Sequence, residues 1–211
     1  MFKKVVTSLI LPLVLILAAC NQSSKKASTS TNSSSESKEA NNTTVSDEAK
    51  SNVSAYRFED DGTIPNNPTF SVMIYQQPFK GRTDKIIDIF KHNHWSNSWT
   101  NGVYNFQHFH SNAHEVLAIR AGHGKIQIGG EKGKIIEVSA GDVIVLPAGT
   151  GHKRIEASDD FSVIGAYPNG VSYDLQKKAN NQLRENIQQV SRPDTDPVYG
   201  NEGPLLELWK K

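Results

Sequence analysis

Cysteine is almost absent from this chain. Cys20 is the only one in 211 residues, so no intramolecular disulfide can form and no multi-thiolate metal site can be built. An excess of one charge is missing too: the formal net charge is +1, and no basic block interrupts the part of the chain after Tyr56, which leaves no electrostatic footprint for nucleic acid. No segment repeats at a period of about 20 to 50 residues, which argues against solenoids and propellers. Residues 21–55 carry no aromatic side chain and consist mainly of Ser, Asn, Thr, Lys and Glu. A stretch so poor in apolar groups cannot offset the entropy of ordering, and it is expected to be a disordered tether. As a flexible coil of about 35 residues it would reach roughly 30 Å. The longest apolar run, Val5 to Leu17, is too short to span a bilayer comfortably.

That run has the grammar of an export signal. Lys3 and Lys4 precede it, and it ends in Leu17-Ala18-Ala19-Cys20. The ending resembles the bacterial lipobox, in which the cysteine thiol receives a diacylglyceryl group and becomes the mature N-terminus. The resemblance implies a leader over residues 1–19, lipidation of Cys20, and a tether over residues 20–55. It also implies attachment to a cell membrane through the lipid, facing outside the cytoplasm. Two acyl chains hold firmly where one would not, because each buried methylene adds about 0.8 kcal/mol.

Residues 56–211 amount to a single domain's worth of chain. Pro and Gly clusters bracket a strand at Phe70 to Gln76, and Ile86, Ile87, Ile89 and Phe90 have helical spacing after a cap at Thr83 or Asp84. Trp95 and Trp99 flank a segment expected to be a Ser/Asn loop. From Val103 onward the texture changes to short strands: 103–110, 115–121, 125–128, 134–138, 143–146, 152–155 and 161–166. Gly129 to Gly133 forms a hairpin loop among them. This is the pattern of an antiparallel all-β sandwich or barrel. A polar, helix-prone stretch (175–190) and the apolar tail 204–209 follow. The tail is expected to pack on the barrel or on a second subunit of a homodimer.

Alternation along strands then sorts the polar residues. His108 and His110 share a face with Tyr104 and Phe106; Glu115 shares one with Leu117 and Ile119, which turns His114 outward. His152, Arg154 and Glu156 fall on one face of a later strand. Two histidines at i and i+2, a neighbouring carboxylate and a third histidine can converge on one divalent ion with bonds of roughly 2.0–2.2 Å.

Gly102, His108, His110, Glu115 and Gly122 reproduce the first motif of the cupins, and Gly141, Pro147, Gly149 and His152 the second. The Asn that closes the second motif is replaced here by Glu156. The chain therefore resembles the cupin superfamily strongly over residues 102–156. The tail from Asp196 to Leu206 resembles, more loosely, a bacterial single-domain subgroup. The resemblance implies a double-stranded β-helix, or jelly roll, with its core at residues 102–168, a lead-in with one helix at 56–101 and a C-terminal extension at 169–211. It places a metal on His108, His110, Glu115 and His152 inside the barrel mouth.

Iron, manganese, nickel and zinc all suit three imidazoles and one carboxylate. Coordination positions left open would let such an ion polarise an oxygen-bearing substrate. Glu156 is a candidate outer partner, general base or ion-pair mate of Arg154. Tyr104 is a candidate catalytic or pocket-lining group, with core packing as its alternative. Two functions follow: a metal-dependent dioxygenase, isomerase or decarboxylase acting on a small sugar or organic acid, or a non-catalytic lipoprotein that captures a ligand or metal.

Overall fold

The computed structural model describes residues 52–210. The leader, Cys20 and most of the tether lie outside the described residues. The order is β1 (Val53–Tyr56), β2 (Val72–Tyr75), a 3-10 turn (Thr83–Lys85), α1 (Ile86–His92), β3 (Trp95–Asn101), β4 (Glu115–Ala121), β5 (His123–Ile128), β6 (Lys134–Ser139), β7 (Val143–Leu146), β8 (His152–Ala157), β9 (Ser162–Pro168), α2 (Asn181–Gln189) and α3 (Pro204–Leu208). A six-stranded sheet runs β1-β2-β7-β4-β9-β3, and a three-stranded sheet runs β6-β5-β8, with antiparallel pairing throughout.

The burial pattern shows why the strands read as they do. β2 and β7 are buried at every residue, and β4 at its first five. The large sheet is covered on both faces, so its strands need apolar residues at successive positions rather than at alternate ones. One face, with Leu117, Ile119, Ile144, Leu146 and Val163, meets Ile126, Ile128 and Val138 of the small sheet to fill the barrel. The other, with Val116, Ala118, Val143, Val145 and Ile164, is covered by Ile86 and Phe90 of α1 and by Leu205 and Trp209 at the C-terminus. The small sheet has one wet face, and β6 accordingly exposes Ile135 and Glu137 while Val138 is buried.

The tail packs on its own barrel. Trp209 stacks on Phe70 with ring centroids 4.8 Å apart, and its indole N–H donates to the Ser71 carbonyl at 2.9 Å. Asp196 is buried and accepts from the Tyr75 hydroxyl (2.7 Å) and from the backbone N–H groups of Val198, Tyr199 and Leu205, which pins the extension to β2.

Four expectations need correction. The tether boundary at residue 55 is too late, because Val53 to Tyr56 pair with β2 in register with Tyr75 to Val72 and form the sheet edge. The segment 95–101 is a strand, not a loop. It pairs with β9 around a bulge between Ser96 and Trp99, where Asn97 has a φ of 55°, a conformation asparagine tolerates well. The polar composition that suggests a loop reflects an edge strand with one exposed side. Residues 103–110 are conversely not a continuous strand: the chain bends at Asn105 and Phe106, and pairing is confined to single bridges, His108 with His152 and Phe109 with Gln176. The helix expected over 175–190 begins only at Asn181, capped by the Asn180 side chain, because Gln176 is spent on that bridge.

Candidate metal centre

β8 and the 103–110 segment are tied together by main-chain bonds. His108 N–H donates to the His152 carbonyl (3.2 Å), His152 N–H returns to the His108 carbonyl (2.9 Å), and Arg154 N–H donates to the Tyr104 carbonyl (2.8 Å). This lattice sets His108 and His152 side by side, their ring centroids 4.0 Å apart. His110 joins them, and ligand atoms of the three imidazoles all lie within 4.8 Å of one another. Glu115, the first residue of β4, brings its Oε2 to 3.3 Å from Nε2 of both His110 and His152. All four side chains are buried.

The turn before β8 makes this approach feasible. Gly149 has a φ of +89°, and a side chain there would press on the Asn66 carbonyl, so Pro147-Ala148-Gly149 can reverse the chain only with glycine at its end.

Each imidazole is oriented from behind by a backbone carbonyl. His108 Nδ1 faces the Phe106 carbonyl (3.2 Å), His152 Nδ1 faces the Thr150 carbonyl (3.1 Å), and His110 Nδ1 faces the Asp174 carbonyl. A carbonyl only accepts, so in each neutral ring the proton sits on Nδ1 and the Nε2 lone pair is left free. The Asp174 carboxylate fixes its own segment by accepting from the Ser111 N–H and hydroxyl, both at 2.6 Å.

Glu115 is held from the other side. Its Oε1 accepts from the Tyr167 hydroxyl at 2.7 Å, and Tyr167 in turn accepts from the Trp99 indole N–H at 2.8 Å. The Trp99 indole packs against Gly165, where any Cβ would collide with it. Glu115 Oε2, by contrast, is buried with no hydrogen-bond donor among the described residues.

The electrostatics follow from this geometry. Burial pushes His108 down to about 3, with His152 beside it adding to the effect, so it is neutral throughout the physiological range. Burial also opposes protonation of His110, but the Glu115 carboxylate outweighs it and raises this histidine. Burial would raise Glu115, yet the adjacent His110 and His152 hold it well below the usual carboxylate range. Tyr167 is pushed upward by burial and by the adjacent Glu115, so it remains a donor.

The remaining sequence candidates separate. Tyr104 is 55% exposed at the cavity rim, stacked on Phe106 (4.8 Å) and edge-on to His108 (5.2 Å), so it lines the mouth rather than packing in the core. Glu156 does not join the site. A bulge between Lys125 and Ile126 on one strand and Glu156 and Arg154 on the other reverses the face alternation, and Glu156 pairs with Lys125 at 2.7 Å on the outside. His114 faces away from the cavity, as strand parity predicts. Its Nδ1 accepts from Ala148 N–H (2.9 Å) and its Nε2–H donates to the Ser191 carbonyl (3.0 Å), a buried structural link between β4 and the extension.

Sequence reasoning missed Tyr167 and Asp174, and although Trp99 was a candidate for the pocket rim, its bond to Tyr167 was not foreseen. Extending the expected strand 161–166 by one residue includes Tyr167, which falls beside Glu115 because Val116 pairs with Ala166. No local signal marks Asp174, which lies 64 residues beyond the imidazole it orients.

In front of the histidines opens a cavity of about 560 Å³, walled by Trp99, Leu117, Arg154, Tyr167, Tyr173 and Leu175 among others. A cupin-domain family model matches residues 101–164, over this fold and this site. The chain is 45% identical over 161 residues to the uncharacterized protein YjlB of Bacillus subtilis (strain 168), covering 74% of this chain and 96% of that protein. It belongs to the cupin superfamily. Solved structures of similar fold include acireductone dioxygenase from Bacillus anthracis with a cadmium ion in its active center. It is 20% identical, covers 44% of this chain and 62% of that one, and superposes with a TM-score of 0.31. Procruciferin, an 11S globulin from Brassica napus, is 15% identical and covers 63% of this chain and 36% of that one, with a TM-score of 0.34. The chain thus spans less than two thirds of either.

Proposed function

We propose that this protein is a lipid-anchored, extracytoplasmic metallo-cupin that acts on a small oxygenated molecule, a sugar or an organic acid. One observation carries the metal assignment. Glu115 Oε2 is buried without a donor and faces imidazole nitrogens whose protons are committed to carbonyls on the far side of each ring. With the rings neutral these lone pairs repel, and a shared cation removes that cost for all three imidazoles, where a proton could relieve it only on a ring such as His110 that Glu115 raises. His108, His110, His152 and Glu115 would hold it, and their N₃O donor set suits iron, manganese, nickel or zinc.

Such an ion supplies Lewis acidity toward an oxygen ligand. The chain's own residues do the rest. The three carbonyls keep the imidazole tautomers, Tyr167 keeps Glu115 turned inward, and the ring walls of the cavity limit water around the bound molecule. Membrane attachment rests on Leu17-Ala18-Ala19-Cys20, with the tether carrying the domain clear of the surface.

Elemental analysis of the purified full-length protein tests the metal. One divalent ion per chain is expected, with at least most of it lost in His110→Ala. Equal metal content in that variant would overturn the assignment. Turnover of a bound sugar or acid by the loaded protein distinguishes an enzyme from a binding protein.

A further inference from the structure

Arg154 sits on the same face of β8 as His152, two residues away, and lines the cavity. Its guanidinium has no hydrogen bond, ion pair or ring contact among the described residues, although it is the only cationic Lys or Arg side chain in the cavity wall. The bulge in β8 explains this. It carries Glu156, the nearest carboxylate in sequence, to the outside, where Lys125 takes it. Apart from Glu115, no acid lines the cavity.

The charge balance is therefore lopsided. A divalent ion with one carboxylate leaves a net +1, and Arg154 raises it to +2 in a partly desolvated space. Such a field favours an anion, and a free guanidinium fork presents paired donors to a carboxylate or phosphate. Aromatic and aliphatic side chains also line the cavity. Tyr173 stacks on Tyr167 with centroids 4.2 Å apart, and Tyr173 and Leu175 remain about two-fifths exposed (41% and 40%) at the mouth.

We propose that Arg154 is the recognition residue for an anionic ligand, an organic carboxylate or phosphate ester with an apolar or ring-shaped body. This rests on the metallo-cupin reading and narrows it, away from a neutral sugar. Arg154 takes the oxyanion while the body lies against the tyrosines.

Calorimetric titration of the full-length protein, metal-loaded and metal-free, with benzoate, phenyl phosphate and neutral benzamide tests it. One of the two anions should bind at least about tenfold more tightly than benzamide, and the tighter anion identifies the headgroup. Arg154→Gln should erase that preference, and Arg154→Lys should retain part of it. Metal content and thermal unfolding should match wild type in both variants. Equal binding of benzamide and both anions, or an anion preference that survives in Arg154→Gln, would overturn the proposal. The metal-free titration keeps the two readings apart: anion preference dependent on Arg154 without any bound metal would support this proposal even if the metal assignment failed.

Discussion

Tyr167 donates its hydroxyl to Glu115 across 2.7 Å, joining the end of β9 to the start of β4 beside His110 and His152. The same hydroxyl accepts from Trp99, so the carboxylate is turned toward the histidines by a relay that begins on the sheet edge.

Removing that donor tests whether Glu115 is a preorganised ligand. Tyr167→Phe keeps the ring that packs on Tyr173 and deletes only the hydroxyl. Metal affinity, measured by competition with a chelator, should weaken about 10- to 100-fold, the usual effect of losing an outer hydrogen bond to a ligand. An unchanged dissociation constant would show that Glu115 needs no such support.

His114 makes a second prediction, on stability and pH. Burial pushes this histidine from its ordinary 6.5 down to about 4, although the Ser191 carbonyl works against the shift. Between those values the unfolded chain binds a proton that the folded chain refuses. Stability is therefore fully present above about pH 6.5 and drains away as the pH falls toward 4. From pH 7.5 to pH 5 this one group should cost about 2 kcal/mol. Urea unfolding of the metal-free protein should show a drop smaller by about that amount in His114→Gln than in wild type. Identical drops would mean that His114 is not held neutral.

Membrane attachment depends on one thiol. Cys20→Ser should shift the protein from the membrane fraction to the soluble fraction, or leave an unprocessed, slower-migrating form. A variant that fractionates and migrates as wild type does would exclude lipidation at Cys20.

The barrel and its histidines were legible because both rest on local pattern. Residues at i and i+2 share a face of extended chain, which suffices to group His108 with His110 and to turn His114 away from Glu115. That grouping survives even though residues 103–110 form only isolated bridges, since a locally extended chain alternates whether or not it is paired. Glu156 was misplaced for the complementary reason. A single inserted residue reverses parity, and nothing in Lys153-Arg154-Ile155-Glu156 announces where the partner strand will leave one residue unopposed.

Residue type and spacing alone determined the grouping of His108 with His110, the antiparallel barrel that carries them and the turn glycines that let the chain reverse, because each is written within a few neighbouring residues. Tertiary structure decided that the Asp174 carbonyl orients His110, that Tyr167 and Trp99 support Glu115, and that Glu156 goes out while Arg154 stays in. Those outcomes depend on strand register and on contacts between segments distant in the sequence, such as Asp174 with His110. Long-range pairing is settled by packing the whole sheet at once, so no local stretch of sequence contains it.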